Sequence, residues 1–263
     1  MGGQMWVSAA GLEAGSSYVD TLAQDIANVD TAGFKALLPV DGASAPQPVY
    51  PAGLTAGPAA PAQVLGLGGA ALQAQDVNWG QGSVAQTGDP LNVAILGPGL
   101  FMLRDGAGNT VYTRAGDFQL DGAGQLTDPE GRLVLDQNGR PITVPAGATN
   151  VQIAPDGTVT ALTSGSSLPT AVGRIGLAFP TAPQGMAAAG FGTWTAPAAA
   201  GAVAVAAPNG STSRLESGAL EQSNADLTAL LPDLVAAQQA YAVNARAESV
   251  AAALWQTVNG LKV

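Results

Sequence analysis

Residues 4–35 read QMWVSAAGLEAGSSYVDTLAQDIANVDTAGFK, and this stretch decides the fold because it holds both a helix and the signal that ends it. It contains no proline, and Met5, Leu12, Val19 and Ile26 recur at intervals of seven. Ala9, Ser16 and Ala23 each follow four residues after one of the first three. Alternating steps of four and three place these side chains on one helix face as an a/d stripe, and its small members let a second helix approach closely. The helix is expected to stop near Asn28–Val29, where Asp30, Thr31 and Gly33 supply turn and C-terminal chemistry.

The pattern returns at the other end. Leu227, Leu234 and Tyr241 are seven apart with Leu230 and Ala237 between them, and the stripe then drifts to Val243, Ala247, Val250, Leu254 and Val258. Ser223 and Asp226 stand at the spacing of a capping box, and Asn259-Gly260 forms a stop. Pro232 falls inside this segment, where it costs about 3 kcal/mol or forces a kink. The helix is therefore expected to bend there, or to begin its regular part at about residue 231.

Between the helical ends the chain changes character twice. Residues 36–76 are poor in charge and rich in Pro, Ala and Gly, which suits an extended or poorly ordered connector. Residues 77–218 read as short strands. Leu91 to Ile95 and Val151 to Ile153 alternate, and turn signals recur at Asp105-Gly106, Asp121-Gly122, Glu130-Gly131, Asn138-Gly139, Asp156-Gly157 and Asn209-Gly210. The fold class that follows is α+β, with long helices at both ends forming a coiled-coil layer and an antiparallel β domain between them. The expected segments are 1–35, 36–76, 77–222 and 223–263.

Composition removes whole classes of function. Charged residues make up 11% of the 263, well below the usual quarter or so, and the formal net charge is −10. The nine basic residues are scattered, so nucleic acid is not an expected partner. Cysteine and histidine are absent, which takes away thiolate and imidazole ligands and the usual proton shuttle at neutral pH. No metal, cofactor or catalytic residue is expected. No apolar run approaches the length of a membrane span, and residues 1–34 lack the basic residues of a cleaved secretory signal. Gly66, Gly68 and Gly69 follow no expected strand and make a weak phosphate loop. Asp105, Asp121, Asp128 and Glu130 lack the spacing of a Ca²⁺ loop and read as turn residues.

Length points to assembly. A helix over 226–259 spans about 50 Å and one over 5–29 about 38 Å, whereas a β domain of about 150 residues is about 40 Å across. The two helices could pair within one chain and stop there, but much of each stripe would stay in water. Further copies would cover it, and head-to-tail contacts that do not close give a filament or tube.

Motifs within these segments resemble the bacterial flagellar rod and hook proteins. Asp25-Ile26-Ala27-Asn28-Val29-Asp30-Thr31-Ala32-Gly33-Phe34-Lys35 is similar to that family's NLANVxTxGFK stretch, and Met5 to Ala14 looks like its opening. Pro90 to Ile95, Gly99-Leu100-Phe101 and Tyr112-Thr113-Arg114-Ala115-Gly116-Asp117-Phe118 resemble its LDVAIxGxGFF and YTRxGxF core. Leu220 to Asn224 and Gln239 to Asn244 resemble its C-terminal LExSNV and QRAYExNxK. The likeness covers both ends and about half of the middle, in the family's order. Asp25, Ala242 and Pro232 depart from it, standing where Asn, Glu and a helix former are usual.

The resemblance implies a homo-oligomeric helical assembly with the terminal helices lining a hollow tube. It also implies other rod and hook proteins as partners, and passage through the flagellar type III export apparatus. About 140 residues between the matched ends leave no room for a hook protein's outer domain, which favours a rod subunit. Met5-Trp6 to Gly11-Leu12 leans to the distal type, while Gly173 to Leu177 suits a proximal one equally. Self-assembly is expected to rest on Met5, Leu12, Val19, Ile26, Leu227, Leu230, Leu234 and Tyr241. Asn28 and Asn244 are candidates to fix register, with a C-cap the competing role for Asn28. Gly33 and Phe34 of the N-terminal motif, with Tyr112 and Arg114 of the middle, are the turn and motif residues. A secreted glycan-active enzyme and a β-rich adhesin with helical ends are the competing functions. The enzyme needs two carboxylates about 5–9.5 Å apart across a cleft.

Overall fold

The computed structural model describes residues 2–43, 70–163 and 168–260. Most of the Pro-rich stretch, with its glycine cluster at 66–69, lies outside the described residues. The chain is a mixed helix and sheet protein with a central antiparallel β domain, and it divides into two compact units.

The first unit takes residues 1–27, 37–76 and 226–263. It holds α1 (Gly2–Ala27), the paired strands β1 (Leu37–Ala43) and β2 (Ala70–Val77), and α2 (Leu227–Gly260). α1 packs along α2 and also touches β1. Two local expectations at the start of α2 need correcting. Asp226, not Ser223, is the N-cap: its Oδ1 accepts from the amide of Thr228 at 2.9 Å, and its carbonyl accepts from Ala229 and Leu230. Ser223 Oγ instead accepts from the Ala225 amide at 3.2 Å, a turn contact before the helix begins. Pro232 does not delay the helix to residue 231; α2 runs through it from Leu227. The acceptor orphaned by the missing N–H is the Thr228 carbonyl, which lies in the first turn, where strain is least shared with the rest of the helix.

The second unit takes residues 28–36 and 77–225. Its strands, in chain order, begin with β3 (Val84–Gln86), β4 (Val93–Leu96), β5 (Leu100–Arg104) and β6 (Thr110–Thr113). β7 (Gln119–Leu120), β8 (Leu126–Thr127), β9 (Leu133–Val134), β10 (Thr149–Ile153) and β11 (Thr158–Leu162) follow. The last are β12 (Thr170–Arg174), β13 (Leu177–Pro180), β14 (Ala187–Gly190), β15 (Thr193–Thr195), β16 (Val203–Ala206), β17 (Arg214–Ser217) and β18 (Ala219–Glu221). The largest sheet runs β14-β15-β6-β5-β9-β8-β7, with β13 joining β5 to β16. Late strands close on early ones: β17 pairs with β4 and β18 with β3, both antiparallel.

The core gathers Val93, Ile95, Phe101, Leu103, Leu126 and Ile175, with Phe101 and Phe118 edge to face at 4.9 Å. β10 alternates as its sequence requires, with Val151 and Ile153 buried and Gln152 exposed. β4 does not: Val93, Ala94 and Ile95 are all buried, so that strand is covered on both faces.

The turns share one chemistry. Asp105 Oδ1 accepts from the amides of Ala107 and Asn109, and the same bonds recur from Asp121, Asp128 and Asp136 to the residues two and four later. In each loop the left-handed residue is the glycine three positions after the aspartate, as at Gly108 (φ 89°), so the turn is centred later than Asp105-Gly106 suggests.

Candidate functional site

β18 carries Glu221 into the interior of the β unit, where the side chain is wholly buried. Oε1 lies 2.6 Å from Lys35 Nζ and 3.0 Å from the Gly82 amide, and Oε2 lies 2.7 Å from Arg114 Nε. Arg114, which follows β6, also donates to the carbonyls of Gly97 (2.8 Å), Ile95 (3.2 Å) and Gly99. Lys35 donates to the Gly80 carbonyl at 2.7 Å. Burial pushes the Lys35 ammonium below its ordinary value; Glu221 opposes that shift and the Arg114 charge adds to it.

Backbone contacts lock the same place. The Gly33 amide donates to the Glu221 carbonyl at 2.7 Å. Gly33 sits at φ 67°, and a Cβ there would lie 2.3 Å from the Ala115 nitrogen, so only glycine fits. Asn224 Oδ1 accepts from the Ala36 amide at 2.7 Å, while its Nδ2 donates to the carbonyls of Asn78 and Gly80. Phe34 is buried beside this ladder, and its carbonyl accepts from the Asn224 amide at 3.4 Å. Three stretches far apart in sequence thus meet: 33–36, 112–118 and 220–224. The arrangement is a clasp rather than a reaction centre, since its donors go to Glu221 and to backbone carbonyls.

The sequence singles out Gly33, Phe34 and Arg114 as residues of separate motifs, and the structure brings them together. Tyr112 lies apart from the ions, half-buried on β6 beside Trp194 and Met102, where burial raises its phenol. Lys35, Glu221 and Asn224 were quoted within motifs but not singled out. The available signal is charge: Lys35 is the only basic residue before Arg104, and Glu221 is the one charge in the motif Leu220 to Asn224.

The helical unit carries the remaining candidates. Met5 lies on α1, its side chain outside the described residues, and Leu12, Val19 and Ile26 are half-buried. Among the described side chains of α1 the deepest are Thr21, Leu22 and Asp25. Asp25 accepts from the Leu37 amide with both oxygens at 3.1 Å, and burial raises its carboxyl to about 6 against that hydrogen bond. Asn28 occupies the turn after α1, its carbonyl accepting from the Thr31 amide and its Oδ1 from the Thr31 hydroxyl. On α2, Leu230, Leu234 and Asn244 are half-buried, while Leu227 and Tyr241 are exposed. A Cβ on Gly15 would make an ordinary 3.5 Å contact with the Tyr241 ring, so α1 and α2 face each other here with room for a methyl group.

Among the described residues no cluster of acidic side chains suits a metal ion, and no helix is long and apolar enough to cross a membrane. The Asp105 and Asp121 carboxylates are used by their own loops.

The flagellar hook protein FlgE/F/G D1 domain model matches residues 94–161, and the flagellar basal body rod FlgEFG protein C-terminal model matches residues 216–261. The chain is 32% identical to the flagellar basal-body rod protein FlgG of Caulobacter vibrioides over 97% of both chains. The chain belongs to the flagellar basal-body rod and hook protein family, distal rod type. The FlgG of Bacillus subtilis is 30% identical over 96% of both chains, and the FlgF of Escherichia coli is 32% identical over 83% of this chain and 82% of its own. This rod protein is a structural subunit of the flagellar basal body, outside the cytoplasmic membrane, and not an enzyme. Membership implies association with other rod and hook proteins.

Proposed function

We propose that this rod protein self-assembles into a hollow helical tube whose inner layer is made by α1 and α2, with the β unit as the body of the subunit. The tube transmits torque and encloses the channel through which later subunits leave the export apparatus. The observation that carries this reading is that α2 is apolar on two faces. Ala237 is buried and Leu230 and Leu234 half-buried within the chain, yet Leu227, Leu231, Val235, Val243, Val250 and Leu254 are exposed along the rest of the helix. One chain supplies only one partner helix, and apolar side chains left in water beyond that contact call for further copies to cover them. At 34 residues α2 is about 50 Å long, which gives neighbouring copies a continuous surface to cover. The buried clasp supports the same reading, because a rigid subunit passes torque without deforming. Negative-stain microscopy of concentrated full-length protein tests it: tubes or short rods are expected, and protein that stays monomeric at every concentration, alone or with the other rod subunits, overturns it.

A further inference from the structure

Phe191 is the tip of the β14–β15 hairpin, and the residue is 80% exposed. It also has φ 49°, a conformation that a bulky L residue adopts only under strain, and it sits between Gly190 (φ 89°) and Gly192 (φ 65°). The tip is held rather than loose. Thr193 Oγ1 donates to the Gly190 carbonyl at 2.6 Å and Thr113 Oγ1 to the Gly192 carbonyl at 3.0 Å. A fixed hairpin therefore presents a phenyl ring to water. No charged residue occurs between Arg174 and Arg214, so the whole hairpin is neutral.

The same unit holds a cavity of about 410 Å³ walled by Pro98, Leu100, Phe179, Pro180, Pro183 and Trp79. Lys35 and Arg114 also line it, and with Glu221 as their shared carboxylate they leave one formal positive charge in the wall of a mostly apolar pocket. A cation in the wall of such a pocket suits the electron-rich face of an aromatic ring, and the volume exceeds that of one phenyl side chain. Phe191 is not among the cavity's lining residues, so it does not fill the pocket of its own chain.

We propose that the Phe191 tip of one copy docks into this Pro- and aromatic-lined cavity of a neighbouring copy, the contact that links β units in the assembled rod. The inference rests on the tube reading. Knob and pocket lie at different places on one molecule, so the contact is heterologous and repeats from copy to copy, as a filament requires. One aromatic side chain buries about 150–250 Å², far below the roughly 1,200 Å² of a stable free pair. The contact therefore acts only within the polymer, beside the helical layer, and leaves the dilute subunit monomeric.

The chain has no cysteine, which makes the test clean. Full-length Phe191→Cys and Pro183→Cys proteins are mixed, assembled and oxidised, then run on a non-reducing gel. A cross-linked heterodimer is expected from assembled material and not from dilute subunit. In parallel, Phe191→Ala is expected to keep the wild-type melting curve and raise the concentration needed for assembly about tenfold or more, as loss of an aromatic anchor does. Rods without the cross-link, or Phe191→Ala assembling at the wild-type concentration, overturn the proposal and leave the tube reading standing. A wild-type chain that never assembles refutes the tube reading, and this inference with it.

Discussion

Lys35 Nζ and Glu221 Oε1 lie 2.6 Å apart in the interior of the β unit, although 186 residues separate them in sequence. Arg114 shares the same carboxylate, so the rod protein buries two cations on one anion. Such a cluster adds little over an apolar filling when complete, but removing the shared partner leaves both cations uncompensated.

Glu221→Ala is therefore expected to destabilise the β unit by about 3–5 kcal/mol. Lys35→Met leaves a balanced Arg114–Glu221 pair and should cost far less. Urea melts of the two variants beside wild type check the order, and equal losses would show that the charges are not what holds the clasp.

Gly33→Ala is expected to cost at least about 2 kcal/mol, from a strained φ together with a Cβ driven into the Ala115 backbone. Gly106→Ala, where a Cβ meets nothing within 4 Å, is the control and should stay within about 0.5 kcal/mol of wild type. Thermal unfolding of the β unit distinguishes them.

Asp25 gives the helical unit a pH dependence of known sign. Its carboxyl is raised from 3.8 to about 6 in the folded protein, so the fold favours the protonated acid. The stabilisation is complete below about pH 4 and is lost as pH rises through about 6. Protection of the Leu37 amide from hydrogen exchange, corrected for intrinsic rates, should increase as pH falls from 7 to 5. Asp25→Asn should flatten that profile. A wild-type profile already flat over this range would contradict the buried-acid reading.

Leu231 and Leu234 sit three residues apart on α2 but differ in exposure, Leu231 open to solvent and Leu234 half-covered in the unit that α1 shares. Leu231→Asp is expected to leave the monomer's helix content intact and block assembly. Leu234→Asp should lower helix content as well, by circular dichroism, because it puts a charge at a half-buried position. The β unit's melting should be unchanged in both, and an assembling Leu231→Asp would remove the outer face of α2 from the interface.

Much of this was legible in the sequence because it is local. Heptad spacing marks the helical character of both ends, and Gly, Asp and Asn punctuation marks the β region, since period and turn chemistry act between near neighbours. Even there, geometry decided details: Asp226 rather than Ser223 caps α2, because the chain begins to turn one residue before Leu227. What the sequence could not show is which distant residues meet. Arg114 and Glu221 are 107 apart, and only the return of β18 beside β3 brings the carboxylate between its two cations. Nor could the spacing tell that Leu227 of the α2 stripe faces water while Leu234 is half-covered, or that Phe191 is held out on a strained turn. Periodicity fixes which residues share a face, but the path of the whole chain decides what that face meets.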